Sequence, residues 1–205
     1  MHQSIINLTT IDKQINDKIS DEVNIKKVNI VAVSKTFKIT DIEPIIKFGH
    51  THFGENKVQE ALEKWSEIKE KNKNLKLHMV GKLQTNKVKF ALKIFDFIHS
   101  LDSQKLAKKI SEEQKKQNKK PKIFIQINLG EENQKSGINK ENLREFYNFT
   151  KDLGLNIIGI MCIPPFNQDS SKFFSEMSQL SKMINLQEIS MGMSSDYLNA
   201  LEFNS

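Results

Sequence analysis

Two rhythms of apolar residues alternate along this chain. Leu8, Ile11, Ile15 and Ile19 recur at intervals of three and four, which predicts a leading helix with one apolar stripe. Short β-rich runs follow at 28–34 (VNIVAVS), 51–54 (THFG), 76–81 (KLHMVG), 95–100 (FDFIHS), 122–128 (KIFIQIN), 156–163 (NIIGIMCI) and 188–193 (EISMGM). Between them lie stretches of helical period near 40–48, 57–70, 84–93, 103–118, 140–152 and 170–184, and a last helix is expected to begin near Ser195. Thr40 and Asp102 are placed to cap helix starts, and Gly49 and Gly154 stand just past helix ends.

Strand and helix in strict alternation, with no Pro/Gly/Ser-rich linker, predict one α/β domain over 1–205 whose parallel strands are joined by crossover helices. A closed (β/α)8 (TIM) barrel needs eight strands, and this count reaches seven. The expectation is therefore a barrel with an extra N-terminal helix and its eighth strand missing, as in a C-terminally truncated chain. An open doubly wound sheet is the alternative.

With 205 residues, 38% of them apolar, the chain can bury one sizeable core. No apolar run approaches the roughly 18 residues that cross a bilayer, and the N-terminus carries no secretory pattern, so a cytoplasmic location is expected. Cys162, the single cysteine, excludes an internal disulfide and reads as a small buried thiol. The net charge of +6 and the basic pI near 9.2 raise nucleic-acid binding. Against it, Arg144 is the lone arginine, and the lysines alternate with acids and amides as on solvated helix faces. The basic stretch KKQNKKPK at 115–122 reads as a helix end and exposed loop.

In parallel α/β folds the ligand site lies where the strands end, and here those ends are polar. Lys35 leaves an apolar strand; partly desolvated at the barrel mouth, its amine would be free to attack an aldehyde, although a strand-terminal lysine is also commonly just solvated. The stretch SMGMSS at 190–195 passes from strand to helix through a glycine, and its amides with the Ser190 and Ser194 hydroxyls could seat a phosphate dianion. A serine before a helix is also an ordinary cap. His50 and His52 on one strand, with His78 and His99 on its neighbours, admit a metal reading, but no carboxylate or cysteine accompanies them at ligand spacing. Hydrogen-bonded structural histidines are the expectation. No G-x-G-x-x-G, P-loop or nucleophile-elbow motif occurs.

The strings AVSKTF (32–37), FGENKVQEA (53–61), LHMVGKLQTNK (77–87), HSLDS (99–103), KSG (135–137) and SMGMSSDYLNAL (190–201) resemble, in order, the motifs of the YggS/PROSC family of pyridoxal phosphate homeostasis proteins. The resemblance implies a barrel like the N-terminal domain of alanine racemase, without that enzyme's second domain. It implies pyridoxal 5'-phosphate as cofactor, held as a Schiff base on Lys35. Asn56 matches a polar residue near the ring, and Val80 with Gly81 lie in the stretch lining its face. Ser190 falls in the phosphate-binding segment, with Gly192 and Ser194 beside it. The family's final Arg-Ile-Gly-Thr-like strand is not in this sequence, and weakened cofactor binding is expected from that.

The function implied is reversible storage of the cofactor without substantial catalysis, in a monomer that gives it up to apo-enzymes. The rival is a racemase-like enzyme, which needs a second acid/base opposite the lysine. Tyr147 and Tyr197, the two tyrosines, stand on or near helices. A regulatory binding module without cofactor is a third class.

Overall fold

The computed structural model describes residues 2–19, 28–130, 136–165 and 168–205. Helix α1 (Gln3–Ile19) leads, and β1 (Ala32–Val33), α2 (Ile39–Lys47), β2 (His52–Glu55), α3 (Val58–Lys71), β3 (Lys76–Met79), α4 (Val88–Ile94), β4 (Phe97–Leu101) and α5 (Gln104–Gln117) follow. The chain continues through β5 (Lys122–Gln126), α6 (Leu143–Asp152), β6 (Ile157–Met161), α7 (Ser170–Met183), β7 (Glu188–Ser190) and α8 (Tyr197–Leu201), with one-turn 3-10 helices leading into α4 and α6. The seven strands form one sheet in sequence order, every pair parallel. That order gives the expected barrel topology and excludes the doubly wound alternative, in which strand order reverses.

Alternation along the strands separates two layers. Outward residues such as Phe53, Ile98, Ile123 and Ile125 are fully buried under the helices, where Trp65 of α3 meets Phe53 at a centroid distance of 4.8 Å. Each such side chain contributes roughly 1.5–3 kcal/mol through burial. The stripe of α1 is real: Ile15 is buried, and Leu8 packs on the core. This helix lies against both α2 and α8, with a Lys18–Glu202 ion pair, and so connects the two ends of the sheet. No helix among the described residues is long and apolar enough to cross a membrane.

Inside the curl runs a file of polar side chains flanked by aromatic ones. His52 Nδ1 meets His78 Nε2 at 2.9 Å, His78 Nδ1 meets His99 Nε2 at 2.8 Å, and His99 Nδ1 meets the Ser190 hydroxyl at 2.7 Å. In a flat sheet β4 and β7 would lie roughly 14 Å apart, three strand spacings. Their side chains touch, so the sheet is bent into a trough around this chain of imidazoles. Phe97 stacks on His78 and Phe124 on His99, at 4.1 and 4.4 Å. These contacts give the histidines hydrogen-bonded and stacked partners, and among the described residues no group of three or more His, Cys, Asp or Glu is arranged to hold a metal ion.

Element boundaries differ from expectation where tertiary contacts decide them. β1 spans two residues rather than the seven of 28–34, because it is an outer strand paired on one side only. His50 precedes β2 and bonds the His52 carbonyl instead of sharing its strand face. Thr40 lies inside α2, whose cap position is Lys38, with the Lys38 N–H bonded to Asp41. α5 is capped by Ser103 rather than Asp102, the Ser103 hydroxyl accepting the Leu106 N–H. Gly49 and Gly154 do end helices, both at positive φ. α8 starts at Tyr197, two residues later than expected.

Burial pushes His78 down to about 2 and His99 down to about 3, the His78 shift reinforced by neighbouring imidazoles. Both are neutral in the fold and titrate near 6.5 once unfolded. Below pH 6.5 the unfolded chain therefore binds more protons, and stability falls with pH, each imidazole contributing until the medium nears its folded value. Urea unfolding should show a loss of about 4 kcal/mol between pH 6.5 and 4.5 from this pair. A flat profile over that window would contradict the buried chain.

Candidate functional site

All seven strands run the same way, so the residues after β1 and those after β7 share one rim. Lys35 follows β1, and the 190–194 segment leaves β7. Lys35 is exposed, and no desolvated amine is built from the protein's own residues as expected, because β1 ends at Val33.

What fixes Lys35 is a clamp on its two neighbours, built from β2 and α3. Glu55, at the end of β2, has no exposure at all, and its Oε1 accepts bonds from the Ser34 hydroxyl (2.7 Å), Lys64 Nζ (2.9 Å) and Trp65 Nε1 (3.0 Å). Lys64 also donates to the Ser34 carbonyl at 2.8 Å and pairs with Glu60 at 3.2 Å. Glu60 in turn accepts the Thr36 N–H at 2.8 Å, and that bond, ahead of Lys64, holds its carboxyl below the usual range. Thr36 sits at φ 66°, a left-handed conformation that a β-branched residue adopts only under constraint, at about 1–3 kcal/mol. One helix thus holds both flanks of the lysine, and strain is stored beside it.

Around this point the expected ring-lining residues converge. A Cβ added at Gly54 would meet Val31, Val33 and Val80 at 3.1–3.5 Å, so these valines form one small apolar surface. Gly81 lies so close to Asn56 that a Cβ would stand 2.4 Å from the Asn56 carbonyl oxygen, which only glycine permits. Asn56 and Val80 are both half-buried.

At the other end of the sheet, Ser190 is half-buried, and its hydroxyl is hydrogen-bonded to His99 Nδ1. Gly192 takes φ 86°, and a Cβ there would press on Ala200. Ser194 is exposed. The helix-start seat expected here is not built, since α8 is five residues long and the preceding turn is closed by Asp196, which accepts the Met193 N–H at 2.6 Å. Cys162 is buried, its thiol pushed up to about 12 by burial and then by Asp196. Of the KSG motif, Lys135 lies outside the described residues, while the Ser136 carbonyl accepts from Gln126.

Lys35, Asn56, Val80 and Gly81 follow the ends of β1, β2 and β3 on one rim, whereas the Glu55–Lys64–Glu60 clamp was not anticipated from the sequence. The available signal was Glu60 and Lys64 at i,i+4 on one helix face, following an acid at the end of the preceding strand. Because Glu55 is wholly buried, Lys64→Met should destabilise the fold by about 3–5 kcal/mol in urea unfolding. Adding Glu55→Met should recover part of the loss, the Ser34 hydroxyl and Trp65 N–H losing their acceptor as well; strictly additive losses in the double variant would deny the pairing.

Comparison with known proteins places these features in context. The family model for the alanine racemase N-terminal domain matches residues 6–205. The pyridoxal phosphate homeostasis protein of Aquifex aeolicus is 34% identical over 183 residues, covering 84% of this chain and 79% of its own length. That of Synechocystis is 35% identical over 184 residues, covering 85% and 84%. PipY of Synechococcus elongatus, in a structure with PLP bound, superposes with a TM-score of 0.79 at 30% identity, over 93% of this chain and 94% of PipY. An alanine racemase of Clostridium difficile shares the fold alone, with a TM-score of 0.60 at 14% identity over 84% of this chain and 46% of the enzyme. The chain belongs to the alanine racemase N-terminal domain family, among the pyridoxal phosphate homeostasis proteins.

Proposed function

We propose that this protein binds pyridoxal 5'-phosphate on the rim between β1 and β7 and serves vitamin B6 homeostasis inside the cell as a carrier. The observation that carries the reading is the clamped Ser34-Lys35-Thr36 tripeptide, which presents one exposed amine on the rim that also holds Ser190. Bound there, the cofactor would supply an aldehyde that condenses reversibly with an amine, giving a Schiff base on Lys35. The residues fit such a group: an accessible amine, the Val31–Val33–Val80 surface for an aromatic face, Asn56 held by Gly81, and the Ser190 hydroxyl for phosphate. PipY, a relative of similar length, has PLP bound, which supports the assignment.

Carriage suits these residues better than catalysis. Racemisation needs a second acid/base facing the lysine. The Tyr197 hydroxyl is bonded to Gln14 of α1, and Tyr147 sits on α6 with the Lys151 ammonium over its ring. Neither tyrosine is placed for that role. We take the protein to act as a monomer whose recipients are apo-enzymes.

Addition of pyridoxal phosphate to the purified protein should produce the absorbance of a lysine adduct. Lys35→Ala should abolish that band, and borohydride reduction followed by peptide mapping should label Lys35 alone. Labelling of another lysine would overturn the assignment. Exchange of an amino acid's α-hydrogen in deuterated water, if rapid and dependent on Lys35, would make the protein an enzyme instead.

A further inference from the structure

The carrier function leaves unused the file of imidazoles His52, His78 and His99 that ends on Ser190. We propose that His99, backed by His78 and His52, is a positioning residue that fixes the Ser190 hydroxyl as a hydrogen-bond donor to a phosphate dianion. In this arrangement all three rings hold the Nδ1–H tautomer together. The proposal rests on the reading that Ser190 meets the phosphate.

A neutral imidazole has one N–H and one lone pair. At 2.8–2.9 Å, each ring-to-ring contact needs exactly one of each, so the file has only two coherent polarities. In the first, Ser190 donates to His99 Nδ1, His99 Nε2–H to His78 Nδ1, and His78 Nε2–H to His52 Nδ1. The serine proton is then spent inward, and only lone pairs face the rim. In the second, His52 Nδ1–H donates to His78 Nε2, His78 Nδ1–H to His99 Nε2, and His99 Nδ1–H to Ser190 Oγ, which frees the hydroxyl proton to point outward. A phosphate dianion offers acceptors only, so it is compatible with the second polarity alone.

Mixed states need an imidazolium or a clash of like groups. Burial holds His78 and His99 far below neutral pH and also lowers His52, and for His78 and His52 neighbouring charges add to it. Lys69 acts against protonation of His78; His50, Lys76 and Lys122 act against that of His52, with Asp96 opposing them. Phe97 and Phe124 cover the ring faces and leave the file as the path for polarity to travel.

Passage from the first polarity to the second balances in protons. The His99 Nε2 proton crosses to His78 Nδ1, the His78 Nε2 proton crosses to His52 Nδ1, and His52 Nε2 releases its proton to water. His99 Nδ1 takes the Ser190 proton, which the monoanion of the incoming phosphate replaces. One proton thus leaves the phosphate and one reaches solvent at the far mouth, and every ring remains neutral. His52 is only half-buried at the start of β2, where such an exit is open.

Two-bond ¹H–¹⁵N spectra of ¹⁵N-histidine-labelled protein test this directly. With pyridoxal phosphate bound, His52, His78 and His99 should all be Nδ1–H; His99 found as Nε2–H would overturn the proposal. A second readout compares pyridoxal phosphate with pyridoxal, which lacks the phosphate. His52→Phe should lower affinity for the phosphorylated form roughly 2–10-fold and leave pyridoxal unchanged, the size of one lost donor. His52→Asn, whose amide can stand where Nδ1–H stood, should restore it. Equal loss for both ligands would reduce His52 to a structural role and refute the proposal. If wild-type protein forms no Lys35 adduct, the carrier reading itself fails; an adduct formed with His99 as Nε2–H sinks only the present inference.

Discussion

A carboxylate with no exposure needs donors, and Glu55 meets three on its Oε1 while its buried Oε2 meets none. Those donors come from β1, from the middle of α3 and from the indole that fills the space between sheet and helix. Satisfying one charge therefore sets the position of Ser34, the approach of α3 and the seat of Trp65 together. Lys64 carries the constraint on to Glu60, and Glu60 to the Thr36 amide. Lys35 gains a defined origin through its neighbours, since the residues before and after it are tied down.

This explains how β1 can be two residues long and still present a functional side chain. Ladder bonds alone would leave an outer strand free to fray, and the Ser34 N–H bond to the Gly54 carbonyl at 2.8 Å is the last of them. Beyond it the ionic clamp takes over from the sheet. The strained φ at Thr36 is sustained by the same clamp, because the bond from its amide to Glu60 holds the backbone in the left-handed region.

The periodic signals in the sequence were enough for element type, order and parallel topology, because each depends on neighbours two to four residues away. The stripe from Leu8 to Ile19 and the runs at 76–81 and 122–128 belong to this class. Features that join distant segments were not legible. Ser34 and Glu55 are 21 residues apart, His52 and His78 are 26, and His99 and Ser190 are 91. Nothing in the local pattern distinguishes a histidine that faces another histidine from one that faces solvent. The motif resemblance implied roles for Lys35, Asn56, Val80, Gly81 and Ser190, while Glu55, His78 and His99 lie within the same motif strings without a role assigned to them. The 190–195 turn misled for the opposite reason: a local Ser-Gly-Ser pattern suggested a helix start, and the actual turn is set by the Asp196 carboxylate.

Polar groups inside a small barrel raise a question of cost, since an apolar interior would be simpler to stabilise. The imidazoles answer part of it by satisfying one another, His78 and His99 each using both ring nitrogens along the file and His52 one, so little hydrogen-bonding capacity is wasted. What the arrangement gives up is tolerance. Aliphatic side chains could repack around a lost neighbour, whereas a file of directional bonds fails as a unit when one member is removed. Such intolerance is a poor choice for stability alone and a good one where the last member must face a ligand in one defined hydrogen-bonding sense. The file ends on a serine at the rim, and its stem and the clamp share β2: His52 begins that strand and Glu55 ends it. One four-residue strand therefore holds both ends of the candidate site in register, with the amine set through Glu55 and the hydroxyl set through His52.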